Sequence, residues 1–100
     1  MLCLLSARRL KPGSWDQFRR AWDAEGTRPP GFMRAYHLRN IRDEDEVISL
    51  GVFDTSLEDF RAWRGEHEDE ELKRQDAMAS FVESISTEGI YEVIEELTEE

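Results

Sequence analysis

Two adjacent residues, Tyr36 and His37, carry the most chemical promise in this chain of 100 residues. An imidazole exchanges protons near neutral pH, so His37 can serve as general acid or base if it points into a pocket, and the Tyr36 phenol can donate a proton. Both lie in residues 32–39, which mix aromatic and basic side chains without helix signals and read as a strand. Neighbours along a strand point to opposite faces, so at most one of the pair can enter a pocket on one side. Arg34 shares the face of Tyr36 and offers a bidentate grip on an anionic substrate, or a polar spot in an interface. The plainer reading of His37 is a hydrogen-bonded core or interface residue, since no second catalytic group is paired with it in sequence.

The other candidates are rings. Trp15, Trp22, Phe60, Trp63 and Phe81 fall on helical stripes that should face a sheet, and Phe53 closes a β-rich run. Together they can line a site for a flat apolar molecule, although ordinary core packing explains them as well. His67, in an acidic stretch after Gly65, is a ligand-binding or lid candidate whose bland alternative is a surface residue. No metal or other cofactor is implied, because Cys3 is the only cysteine, no His-x-x-x-His occurs, and residues 66–71 lack the glycine and alternation of a calcium loop. Phosphate loops and serine-nucleophile motifs are missing too.

The elements that must position these residues follow from turn signals and periodicity. Residues 2–10 are apolar and then basic, and Lys11-Pro12-Gly13 stops what reads as a first strand. Ser14 and Gln17 have the spacing of a capping box, and Trp15, Phe18 and Trp22 then form one helical stripe that Gly26 should end. Residues 27–31, with both adjacent prolines, make a loop. A charged turn at 41–46 joins the strand at 32–39 to the β-rich run 47–53, predicting a hairpin. A helix should open near Thr55, present Leu57, Phe60 and Trp63 or Arg64 along one face, and be interrupted at Gly65. The acidic run 66–71 suits the positive end of a further helix whose apolar positions Leu72, Met78, Phe81, Val82 and Ile85 carry on towards Gly89. Residues 90–97 alternate apolar and acidic side chains and predict the last strand.

This order predicts one α+β domain spanning residues 1–100: a ferredoxin-like βαββαβ fold with a four-stranded antiparallel sheet and its helices on one face. Strands one and three should be central. Both have large apolar residues at both parities: Ile48, Leu50 and Val52 against Val47 and Phe53, and Leu2 and Leu4 against Cys3 and Leu5. An antiparallel sheet facing water on one side normally alternates, so the second face needs a cover, and a second copy of the chain is the simplest one. A homodimer is expected. With 13 Lys and Arg against 23 Asp and Glu, a net charge of −10, the chain should repel nucleic acid and anionic lipid. No run approaches membrane-spanning length and nothing suggests an oxidising compartment, so the cytoplasm is the expected location.

Pro30-Gly31-Phe32 opening the second strand, and Val52-Phe53-Asp54 running into Ser56-Leu57-Glu58-Asp59-Phe60, resemble the dimeric α+β barrel superfamily. The nearest resemblance is to its antibiotic-biosynthesis-monooxygenase-like members. The resemblance implies a dimer with a small pocket in each subunit between helices and sheet. Activities known in such proteins include cofactor-independent oxygenation of polycyclic aromatics, haem degradation, isomerisation and simple ligand binding. Trp63 matches the tryptophan of the haem-degrading relatives on the helix after the third strand. Their asparagine at the end of the first strand is replaced here by Ala7 or a neighbour. Their iron-binding histidine has no match either, since Lys73 is nearest in spacing and His67 comes too early. Asn40, on the hairpin, does not supply the missing asparagine. Two functions follow: an enzyme acting on a small aromatic or quinone-like molecule with His37 or Tyr36 as acid or base, or a non-catalytic dimer that binds a small ligand or acts as an accessory protein.

Overall fold

Residues 1–23 and 28–99 are described by the computed structural model. The chain runs β1 (Leu2–Leu10), α1 (Trp15–Trp22), β2 (Phe32–Asn40), β3 (Asp43–Phe53), α2 (Leu57–Glu66), α3 (Glu68–Ala79) and β4 (Val82–Glu92). The strands pair antiparallel in the order β2-β3-β1-β4, so β1 and β3 are central as expected and the fold is the ferredoxin-like α+β sheet.

Register fixes what each face carries. Rows Ala35–Gly51–Leu4–Ile90 and His37–Ser49–Ser6–Glu88 lie on the face that the helices cover. Rows Arg34–Val52–Cys3–Tyr91, Tyr36–Leu50–Leu5–Gly89 and Leu38–Ile48–Ala7–Thr87 lie on the other. The covered face buries Leu10, Phe18, Val47 and Met78 as its core, with Trp15, Ala21, Trp22, Phe81 and Val82 packed against them. Among the described residues no helix lies over the second, largely apolar face, where Tyr36, Leu38 and Tyr91 are each about half exposed.

Several boundaries differ from the sequence expectation. Ser56, not Thr55, caps α2, its Oγ accepting from the Asp59 N–H at 3.0 Å. Ser14 stands at the head of α1 but makes no side-chain cap bond, so the capping box with Gln17 is not formed. Gly65 stays within α2. The chain turns instead at His67, which ends α2 and begins α3, and the acidic residues 68–71 form the first turn of α3 as their charge predicts. Helix α3 stops at Ala79, and Val82 pairs with Leu10 in β4, which continues through Gly89. The spacing of Met78, Phe81, Val82 and Ile85 satisfied the helical period, but Lys11 and Phe81 join by a backbone hydrogen bond of 3.0 Å that pulls the segment onto the sheet edge. Residues 93–99 are irregular, and β3 begins four residues early at Asp43, where Arg9 reaches across to form an ion pair. The expected cap at Gly26 lies outside the described residues.

Gly31 is required by its geometry. Its φ is +75°, and a Cβ there would collide with the Asp54 carbonyl, while its own carbonyl accepts from the Asp54 N–H at 2.7 Å. This clasp ties the start of β2 to the end of β3 and sets the position of Phe53, whose ring meets that of Phe32 edge-on at 5.6 Å.

Candidate functional site

Between the helices and the covered face lies a cavity of about 230 Å³, partly open to solvent. Its floor is made by Leu4, Ser6, Ser49 and Gly51. Rings of Trp22, Phe53, Phe60 and Trp63 wall it, and Arg8, Arg74, Glu71 and Glu88 bring charge to its edges. The room exists because the sheet row beneath it carries Ala35 and Gly51, too small to fill the space, and because Phe53 lies back over Gly51.

Trp63 is held between two rings, Phe60 at 6.4 Å and His67 at 4.6 Å between centroids. The His67 Nδ1 lies 2.8 Å from the Trp63 carbonyl, so the turn between α2 and α3 fixes the imidazole against the indole. His67 thus supports a cavity wall from behind. Arg74 donates from Nε to the Trp22 carbonyl at 2.7 Å and from Nη1 to Glu71 Oε1 at 3.0 Å, and Gln75 donates to the same oxygen at 2.8 Å. That network ties α3 to the end of α1 at the cavity rim.

His37 faces the helices, so Tyr36 and Arg34 face the open side. Arg34 pairs there with Glu96 at 3.5 Å, and neither it nor Tyr36 reaches the cavity. His37 does not line the cavity directly either. Its ring is packed edge-on against Trp22 at 4.4 Å and Trp15 at 5.3 Å, and its Nδ1 is 2.8 Å from the Ser49 Oγ, which belongs to the cavity floor. The Nε2 is buried without a hydrogen-bond partner among the described residues. Burial lowers the His37 pKa, and the positive charges of Arg19 and Arg8 push it the same way. A neutral imidazole bonded to a cavity hydroxyl can take a proton from the cavity through Ser49, acting as a base one atom removed.

Of the other residues singled out from sequence, Trp22, Trp63 and Phe53 come together at the cavity. Phe81 packs instead against the Leu10–Phe18–Val47–Met78 cluster and is not among the lining residues. Ala7, set by the resemblance at the asparagine position, faces the open side, and its neighbours Ser6 and Arg8 face the cavity. Sequence reasoning missed Arg8, Ser49 and Arg74. An arginine at the inward parity of the first strand, between Ser6 and Leu10, was the available signal for Arg8.

No family model matches the chain, and no curated protein matches it. Solved structures do. The antibiotic biosynthesis monooxygenase-like protein of Nitrosomonas europaea superposes with a TM-score of 0.67 at 19% identity, over 95% of this chain and 100% of that one. SnoaB of Streptomyces nogalater, a cofactor-independent oxygenase, gives 0.67 at 16% identity over 98% and 97%. A NIPSNAP domain protein of Burkholderia xenovorans gives 0.60 at 14% over 99% and 100%. At these identities the likeness carries the fold.

Proposed function

We propose that this chain is a cofactor-independent oxygenase of a small aromatic or quinone-like molecule, working as a cytoplasmic homodimer with one site per subunit. The observation that carries the reading is the ring-walled cavity of about 230 Å³ over a polar floor. Drug-sized pockets begin near ~300 Å³, so this one suits a small fused-ring system. The likeness to SnoaB supports the choice of reaction class.

The reaction begins with loss of a proton from a ring carbon or phenol to His37 through Ser49. The resulting electron-rich anion reduces O2 directly: one oxygen atom enters the ring as a carbonyl and the other leaves as water, so an activated CH2 becomes C=O. Trp22, Phe53 and Trp63 hold the ring flat over the floor. The test is oxygen uptake with anthrone, whose product would be anthraquinone and water. Uptake above the spontaneous rate, lost in Ser49→Ala, is expected, and a rate equal to buffer alone would reject the oxygenase reading. Tight binding of anthrone without uptake would leave the non-catalytic binding reading, which the separation of His37 from the cavity by Trp22 favours.

The dimer is supported by the half-buried rows around Leu5, Leu50 and Val52, which lie on the sheet face that has no helix over it among the described residues. Light scattering should give about twice 11.7 kDa at micromolar concentration. Leu50→Asp should bring the mass down to that of the single chain, and a monomeric native protein at all concentrations would end the proposal.

A further inference from the structure

Arg8 is the cavity-lining residue that buries a polar atom with no partner among the described residues. It is only 5% exposed, its guanidinium carbon stands 5.4 Å over the Phe18 ring, and its Nη1 is buried with no hydrogen-bond partner among the described residues. A buried guanidinium is retained against a large desolvation cost, normally by pairing it with a carboxylate. Three carboxylates line the same cavity, yet none forms an ion pair with it among the described residues, and Asp23 is taken by Arg19 and Arg28. Glu71 is already bonded to Arg74 and Gln75, and Glu88 lies on the exposed strand edge. Arg28, also at the cavity, is likewise occupied, pairing with Asp23 at 3.7 Å and lying over the Phe32 ring.

The charge of the lining points the same way. The chain as a whole has a net charge of −10, but the cavity gathers four arginines (Arg8, Arg28, Arg64, Arg74) against three acids (Asp23, Glu71, Glu88). A net positive cavity in so acidic a chain, with one fully buried donor left over, is built for a negatively charged or strongly polar oxygen.

Resting on the reading of the cavity as a ring-binding site, we propose that its ligand is an aromatic oxyanion, a planar ring system bearing a carboxylate, phenolate or enolate oxygen that takes the vacant Nη1 of Arg8. The rings of Trp22, Phe53 and Trp63 bind the apolar body and Arg8 holds the oxygen. For the proposed reaction this places the developing negative charge against a fixed cation, which favours ionisation of the substrate before O2 arrives.

The experiment compares 2-naphthoate with its neutral isostere 2-naphthylmethanol, by calorimetry, on the wild-type dimer and on Arg8→Met. Wild type should bind the anion at least ~10-fold more tightly than the neutral compound. Arg8→Met should lose that preference while keeping its affinity for the neutral compound. Equal affinities in wild type would overturn the role of Arg8 and leave the ring-binding cavity standing. Failure of both compounds to bind would remove the cavity reading and this inference with it. A second measurement needs only the wild type: 4-nitrophenol, followed by absorbance, should ionise at lower pH when bound than when free. Ionisation at the same or higher pH would refute the proposal whatever the behaviour of the variant.

Discussion

The helix-covered face of the sheet has two halves built by opposite rules. Around Leu10, Phe18, Val47 and Met78 it is filled, each residue nearly or fully buried, with α1 and α3 pressed against it. Around Leu4, Gly51 and Ile90 it is hollow, because small residues on the strands leave the rings of Trp22, Phe53, Phe60 and Trp63 standing over empty space. The same kinds of side chain serve both halves. What differs is whether the opposite strand row supplies bulk, so stability resides in one half and binding capacity in the other.

The contrast is most easily broken at Phe18, which is 0% exposed. Phe18→Ala should cost ~3–5 kcal/mol, read from the urea midpoint, because nothing nearby can collapse into the space. Trp63→Ala, in the hollow half, should cost roughly 1–2 kcal/mol, since the half-buried ring already borders a void, but should weaken tryptophan quenching by quinone-like ligands to what Trp22 alone gives. If the two substitutions cost the same, the division into filled and hollow halves is wrong.

Gly51→Ala sharpens the comparison at smaller cost. Its Cβ would stand 2.9 Å from the Phe53 ring, which can swing into the cavity to relieve the clash. Stability should therefore change by less than about 1 kcal/mol while ligand affinity falls, a separation that thermal melts and calorimetry would show together. The smallest effect concerns pH. The His37 pKa is lowered from 6.5, first by burial and then by Arg19 and Arg8, so the native state keeps a neutral ring while the unfolded chain protonates first. Its contribution is present above about pH 6.5 and lost as the pH falls through that value towards the lower folded pKa. Between about pH 7.5 and about pH 5, the wild-type urea midpoint should fall further than that of His37→Gln.

How much of this was legible in the sequence differs between topology and site. Strand order and the central place of β1 and β3 followed from turn residues and alternation, which are local signals. The opposition of Tyr36 and His37 also followed from the strand period. Which of them faces the helices did not, because β3 is apolar at both parities and either face could have been the covered one. The junction of α3 and β4 was misplaced because Met78, Phe81, Val82 and Ile85 fit a helical stripe, and only pairing with Leu10 decides otherwise. Trp22, Trp63 and Phe53 were found as large rings at helix-facing positions. Arg8 was read with Arg9 and Lys11 as the basic end of a strand, although inward parity separates it from Arg9. Ser49 gave no signal, since its role comes from the register that sets it beside His37.

Cys3, the only cysteine, sits mid-row on the uncovered face between Val52 and Tyr91, with its thiol pKa pushed up by burial. If two such faces meet, this sulfur can be alkylated only while the subunits are apart. Its labelling then works as a clock: the rate should fall as protein concentration rises, levelling where every reaction must wait for a pair to separate. The chain thus carries, in one atom, a reporter of how long its own partnership lasts.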